Sequence, residues 1–202
     1  MTRPALRRLL QAALLTAASC TAAHATTVAL AADGGWSAFN VNDLDATSFG
    51  VEWIDNANSL SPDFGSPLSF SFTVAAGMQA RLTVVDAGFA GDTFAVFDHG
   101  SSLGATSSVA LTDAATAVNT GTDFDAALAN TQFSRAVYTL GAGEHLISGS
   151  LLQSVQLGGQ PLNATVGGVR LEVSAVPEPA TWLSLLAGMG LLGFTVSRRC
   201  RP

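Results

Sequence analysis

The sequence predicts an all-β fold: an antiparallel two-sheet sandwich over residues 26–175, preceded by an N-terminal signal helix and followed by one C-terminal transmembrane helix. Three observations carry that expectation. Apolar and polar residues alternate at period two through the middle of the chain. Glycine-rich turn signals separate the alternating runs. Charge is segregated, with six of the nine arginines inside the first eight or last five of 202 residues.

That length gives room for one ordinary domain. Only 12% of the residues are charged and none is lysine. With 48% hydrophobic residues, the composition is that of a packed protein rather than a disordered one. Between Thr26 and Val176 three arginines stand against fourteen acidic residues, a formal charge of −11. Such a body repels phosphate backbones and anionic headgroups, so nucleic-acid binding is not expected.

The elements follow in order. Arg3, Arg7 and Arg8 precede an apolar run from Leu9 to Ala18, and small residues then lead to Ala23-His24-Ala25. A basic region, a short apolar core and an A-x-A site make residues 1–25 a Sec-type signal peptide, cut after Ala25 with Ala23 as the other small contact. The apolar run is too short to span a bilayer. Cys20 raises the alternative of an acylated lipoprotein, but Ala17-Ala18-Ser19 lacks the leucine usual before a lipobox cysteine. Cleavage removes Cys20, and the other cysteine, Cys200, lies in the basic tail, so the mature body has no disulfide.

In the body, Phe70, Phe72 and Val74 alternate with Ser69, Ser71 and Thr73. Leu82 and Val84 alternate with Arg81 and Thr83, and Val169, Leu171 and Val173 with Arg170 and Glu172. Each run reads as a half-buried antiparallel strand. Further strands are expected at Phe49–Ile54, Thr93–Phe97, Phe133–Leu140 and Leu146–Leu152. Turns are expected at Ala76-Gly77, Gly88 with Gly91, Asp98-His99-Gly100, Gly141-Ala142-Gly143 and Gly158-Gly159. Seven or eight strands at this spacing suggest a sandwich, jelly-roll or CUB-like in kind. One short helix is expected at Asp123–Asn130, capped by Asp123, and Ser101–Thr122 reads as a long surface connection. The stretch Leu82–Gly100, with Phe133-Ser134-Arg135 and Leu140–His145, is similar to a group of secreted bacterial and fungal sandwich domains; that resemblance implies a fold and no activity.

The C-terminal segment, 176–202, has three parts. Pro177-Glu178-Pro179 comes first, and Ala180–Val196 carries no charge. Arg198, Arg199 and Arg201 close the chain. As a helix, 180–196 extends about 25 Å, enough for a thin inner membrane with Trp182 at one interface. The arginines after it should stay cytoplasmic, which places the body on the far side. Gly188, Gly190 and Gly193 would let another membrane helix approach closely. The two prolines lack amide donors and hold the chain extended just outside the bilayer.

These parts, in this order, resemble the PEP-CTERM sorting signal of Gram-negative bacteria. The resemblance implies processing by an exosortase, an integral-membrane enzyme, after export by the Sec machinery and a transient stay in the inner membrane. It also implies association with exopolysaccharide and biofilm at the cell surface or outside it. By position, Pro177, Glu178 and Pro179 would be the recognition element and Arg198, Arg199 and Arg201 the stop-transfer cluster.

Catalytic patterns are absent from the body. With only His99 and His145 and no cysteine after cleavage, a zinc site cannot be assembled from the usual spacings. Gly65-Ser66-Pro67 and Gly149-Ser150-Leu151 both break the nucleophile-elbow pattern, and no phosphate loop or dinucleotide fingerprint occurs. No cofactor and no enzymatic activity are expected. Asp86, Asp92 and Asp98 lie at strand ends, where aspartate is the ordinary turn residue; as a cluster they would be weak calcium ligands. Nothing in the spacing selects a glycosidase pair of carboxylates. Trp53 follows Phe49 and Val51 at period two and should be buried, whereas Trp36, after Asp33-Gly34-Gly35, is the candidate for an exposed sugar-stacking contact. A carbohydrate-binding module is the first alternative to a purely structural domain, and a secreted hydrolase the second.

Overall fold

A computed structural model describes residues 25–48 and 50–176. The expected signal and transmembrane helices, Ala23, Phe49, Pro177-Glu178-Pro179, Arg198, Arg199 and Arg201 lie outside the described residues. Among those described, no helix is long and apolar enough to cross a membrane.

Two sheets face each other. In chain order the strands are β1 (Thr26–Ala29), β2 (Asp33–Asn42), β3 (Leu68–Val74), β4 (Met78–Ala87), β5 (Thr93–Asp98) and β6 (Ser101–Ala105). After helix α1 (Phe124–Ala129) come β7 (Arg135–Leu140), β8 (Gly143–Gln153), the short hairpin β9 (Gln156–Leu157) and β10 (Gln160–Pro161), and finally β11 (Ala164–Ala175). One sheet has the order β1-β3-β8-β5-β6 and the other β2-β11-β4-β7. All pairings in them are antiparallel except β1 with β3, where Thr26 lies beside Leu68 and Ala29 beside Ser71 in parallel register. The sandwich is therefore not wholly antiparallel, since β1 and β3 both run toward the same end.

The core forms where the inward phases of the strands meet. Phe39 and Trp53 stack with ring centroids 3.9 Å apart, and Phe94 meets Phe39 edge-on at 5.1 Å. Leu82, Val84, Ile147 and Leu171 close around them, each fully or almost fully buried. Glycine makes the stack possible: a Cβ at Gly149 would fall inside the Trp53 indole, and one at Gly167 inside the Phe39 ring. A smaller cluster, Val85, Ala87, Phe124, Ala127 and Phe133, lies where α1 covers the outer face of β4. This explains why the second half of β4 is buried on both faces. Asp123 caps α1, its carboxylate accepting from the Ala126 amide at 2.9 Å, and the helix stops at Asn130.

Three sequence expectations are corrected. Val51–Ile54 is not a strand: Glu52 bridges Ser150 in one sheet, while Ile54 bridges Asn40 in the other and Pro67. The segment crosses from sheet to sheet and drops Trp53 into the core, so its period-two pattern reflects burial without a common partner. The expected long connection from Ser101 begins instead as β6, because its small residues pair along the edge of β5. Phe133–Leu140 starts as a strand only at Arg135; Phe133 anchors the second cluster.

The strands run alternately up and down. β11 ends beside the start of β4, with Ala175 opposite Met78 and the Val176 amide bonded to the Gly77 carbonyl at 2.9 Å. This exit end also holds the connections 30–32, 75–77, 99–100 and 141–142. The opposite, far end holds 43–67, 88–92, 106–134 with α1, and 154–163 with the β9–β10 hairpin.

Candidate functional site

Both histidines of the body lie at the exit end. Asp98 closes β5, and its two oxygens accept from His145 Nδ1 at 2.7 Å and from the Leu146 amide at 3.0 Å. His145 Nε2 lies 3.0 Å from the Gly141 carbonyl, and its ring stacks on Phe72 with centroids 5.0 Å apart. His99, at positive φ in the turn, reaches the Glu144 carbonyl at 3.2 Å. A shallow groove of about 430 Å³ between β3 and β8 is lined by Phe72, His99, Glu144 and His145. Although an Asp–His pair resembles part of a catalytic triad, both nitrogens of His145 point at acceptors. The nitrogen that would face a nucleophile faces the Gly141 carbonyl instead. The pair holds the β7–β8 turn against β5.

The three aspartates read as a calcium candidate do not meet. Asp86 and Asp92 come together at the far end, but Asp98 lies at the other end of the six-residue β5, about 20 Å of strand away. Among the described residues no group of three or more His, Cys, Asp or Glu is placed to hold a metal. The physical reason is the length of β5, which carries the chain from one end of the sandwich to the other between Asp92 and Asp98.

Asp86 and Asp92 are both fully buried. Asp86 continues the inward phase of Ala80, Leu82 and Val84 along β4, so the sheet itself drives it into the interior. Its Oδ2 accepts from the Asp92 amide at 3.2 Å and, at a longer 3.4 Å, from the Gly91 amide; Asp92 Oδ1 accepts from the Val155 amide at 2.7 Å. The other oxygen of each, Asp86 Oδ1 and Asp92 Oδ2, has no hydrogen-bond partner. Burial and then the neighbouring Asp92 charge push Asp86 up to about 9. Burial raises Asp92 to about 6, against the nearby Thr165 hydroxyl and the Val155 amide, which lower it. Near neutral pH the pair therefore carries one proton and one charge. Sealed from solvent, it braces the 88–92 connection against the 154–163 connection.

Trp36 sits on the outer face of the β2 sheet and is half-buried. The Arg170 guanidinium lies over its ring at 4.6 Å, its Nε1 donates to Asp125 Oδ1 at 3.0 Å, and Phe124 packs against it at 5.6 Å. One face of the indole is thus occupied by the protein's own cation, and the side chain ties α1 to β2 and β11. Trp53, as expected, is wholly buried. The feature that sequence reading missed is an open cleft of about 340 Å³ at the far end, lined by Asn40, Asn42, Asn56 and Asn119 together with Phe89 and Thr165. These positions are scattered along the chain and carry no motif; only folding assembles them.

The described fold delivers β11 to Val176, immediately before the prolines. Residues 175–199 match the PEP-CTERM protein-sorting motif. The match identifies an exported protein that passes through the membrane toward the cell surface and is processed by exosortase. No curated protein matches the chain. Among solved structures, the pre-peptidase C-terminal domain of collagenase from Bacillus anthracis is similar at 10% identity over 75% of this chain and 95% of that chain. Its TM-score is 0.32, a likeness too low to carry any argument.

Proposed function

We propose that the chain is a cell-surface or matrix protein whose β-sandwich is non-catalytic and associates with exopolysaccharide in a biofilm once exosortase has acted on its C-terminus. The observation that carries this reading is the sorting motif over 175–199, directly after the last strand of a single sandwich. Several features support a non-catalytic role. The Asp98–His145 pair is spent on turn geometry, the Asp86–Asp92 carboxylate pair is sealed from solvent, and the body's charge of −11 suits an extracellular domain that avoids other polyanions.

The test is fractionation of a native-like exporting host. The wild-type protein should be recovered outside the cell with the exopolysaccharide, and the triple variant Pro177→Ala, Glu178→Gln, Pro179→Ala should stay with the inner membrane. An unchanged distribution of the variant would refute exosortase sorting. Release of reducing sugar from the purified polysaccharide by the wild-type protein, lost in Asp98→Asn, would refute the non-catalytic reading.

A further inference from the structure

The far-end cleft is lined by uncharged residues alone. The body carries −11 overall, yet no charged side chain lines the cleft: its walls are four asparagines, Phe89, Thr165 and small or apolar residues. We propose that this cleft is a binding site for a neutral polysaccharide; the inference rests on the exopolysaccharide reading above and gives it a place and a ligand class.

The walls are fixed before any ligand arrives. Phe89 bridges Asn119, the Gly88 amide donates to the Gly121 carbonyl at 2.9 Å, and the Ala90 amide to the Val118 carbonyl at 2.8 Å, so the loops 88–90 and 118–121 form one ladder. Asn42 is held at the end of β2 by Asp45 at 2.6 Å and by the Leu44 amide at 3.1 Å. The Asn119 carbonyl oxygen accepts from the Gly121 amide at 2.7 Å, leaving its two amide hydrogens without a bond inside the protein. Asn40 and Asn56 are half-buried, and among the described residues no hydrogen bond engages either side chain.

A primary amide offers donors and an acceptor on one rigid plane, which matches vicinal hydroxyls that each donate and accept. Phe89, half-buried on the rim, offers an aromatic edge or face to the C–H side of a sugar ring. The volume is at the lower end of the range for ligand sites, large enough for a short stretch of a polymer whose remainder lies in solvent. An anionic polymer would meet the same amides but also the field of the body, which disfavours it. Position agrees with chemistry: the cleft lies at the end of the sandwich opposite Val176, facing away from the membrane while the sorting segment is still held there.

The test is affinity electrophoresis of the mature protein in gels containing the host's purified exopolysaccharide, hydroxyethylcellulose or alginate. The wild-type protein should be retarded by the host polymer and by hydroxyethylcellulose and not by alginate. Asn40→Ala and Asn119→Ala should each weaken retardation at least about tenfold, a loss of about 1.4 kcal/mol. Asn56→Ala removes an amide that bonds nothing in the fold and should do the same at an unchanged unfolding midpoint, which keeps the test valid if another variant unfolds. Trp36→Ala should run like the wild type. Cleft variants retarded as strongly as the wild type would overturn the cleft while leaving the polysaccharide reading intact. No retardation of the wild type by the host polymer would overturn both, and stronger retardation by alginate would overturn the neutral class.

Discussion

At the end of the sandwich where the chain leaves for the sorting motif, every connection is a tight turn: 30–32, 75–77, 99–100 and 141–142. At the opposite end the connections run over 43–67, 88–92, 106–134 and 154–163, and they carry a helix, a hairpin, a buried acid pair and the asparagine cleft. Both ends cap the same two sheets, so the strands do not dictate the difference. A domain tethered at one end faces its surroundings with the other, and loops are where a rigid scaffold carries recognition. The exit end uses its polar side chains to hold turns. The far end stores a buried charge and leaves amides unbonded.

The largest expected effect separates the ends by pH. Asp86 moves from 3.8 to about 9 on folding, and Asp92 from 3.8 to about 6. A carboxyl raised by folding binds its proton more tightly in the folded state. Its stabilising contribution is complete below about pH 3.8 and is lost as pH climbs toward the folded value. Through Asp86 the domain should lose about 1.4 kcal/mol per pH unit, or about 3 kcal/mol between pH 6 and 8. Denaturant unfolding of the wild type and of Asp86→Asn checks this, because the variant should remove most of that slope. A domain equally stable at pH 6 and 8 would remove the far-end charge from the account.

A smaller effect is expected at the exit end. Asp98→Ala deprives His145 Nδ1 and the Leu146 amide of their acceptor and should cost about 2 kcal/mol of stability, measured at a fixed pH. A cost confined to stability, with polysaccharide retardation unchanged, would sharpen the distinction between the two ends. The smallest effect belongs to α1 on the far side: Asp123→Ala removes the helix cap and should cost about 1 kcal/mol, read as a lower urea midpoint at an unchanged slope.

What the chain reveals before folding follows the reach of each interaction. The helix at Asp123–Asn130 is legible because its cap and its alanines are local. β3, β4 and β11 are legible because period two is local as well. β2 is hidden because it opens on a bulge: Asp33 pairs with Glu172 and Trp36 with Arg170, and Gly34 and Gly35 lie between them without a partner in the register. Val51–Ile54 misleads because alternation records burial, and here burial comes from three different partners. The Asp86–Asp92 pair had one local signal, the inward phase that Asp86 shares with Leu82 and Val84, and the turn preference of aspartate outweighed it. The cleft had none, since Asn40, Asn56 and Asn119 come from three distant segments.

The account rests on a sandwich that is delivered outside the cell and then freed from the segment that delivered it. Intact-mass spectrometry of the protein recovered from a native-like exporting host tests this most directly. The mass should correspond to a chain that begins at Thr26 and has lost the segment from Leu183 to Pro202. A secreted product that still carries Leu183–Pro202 would contradict it.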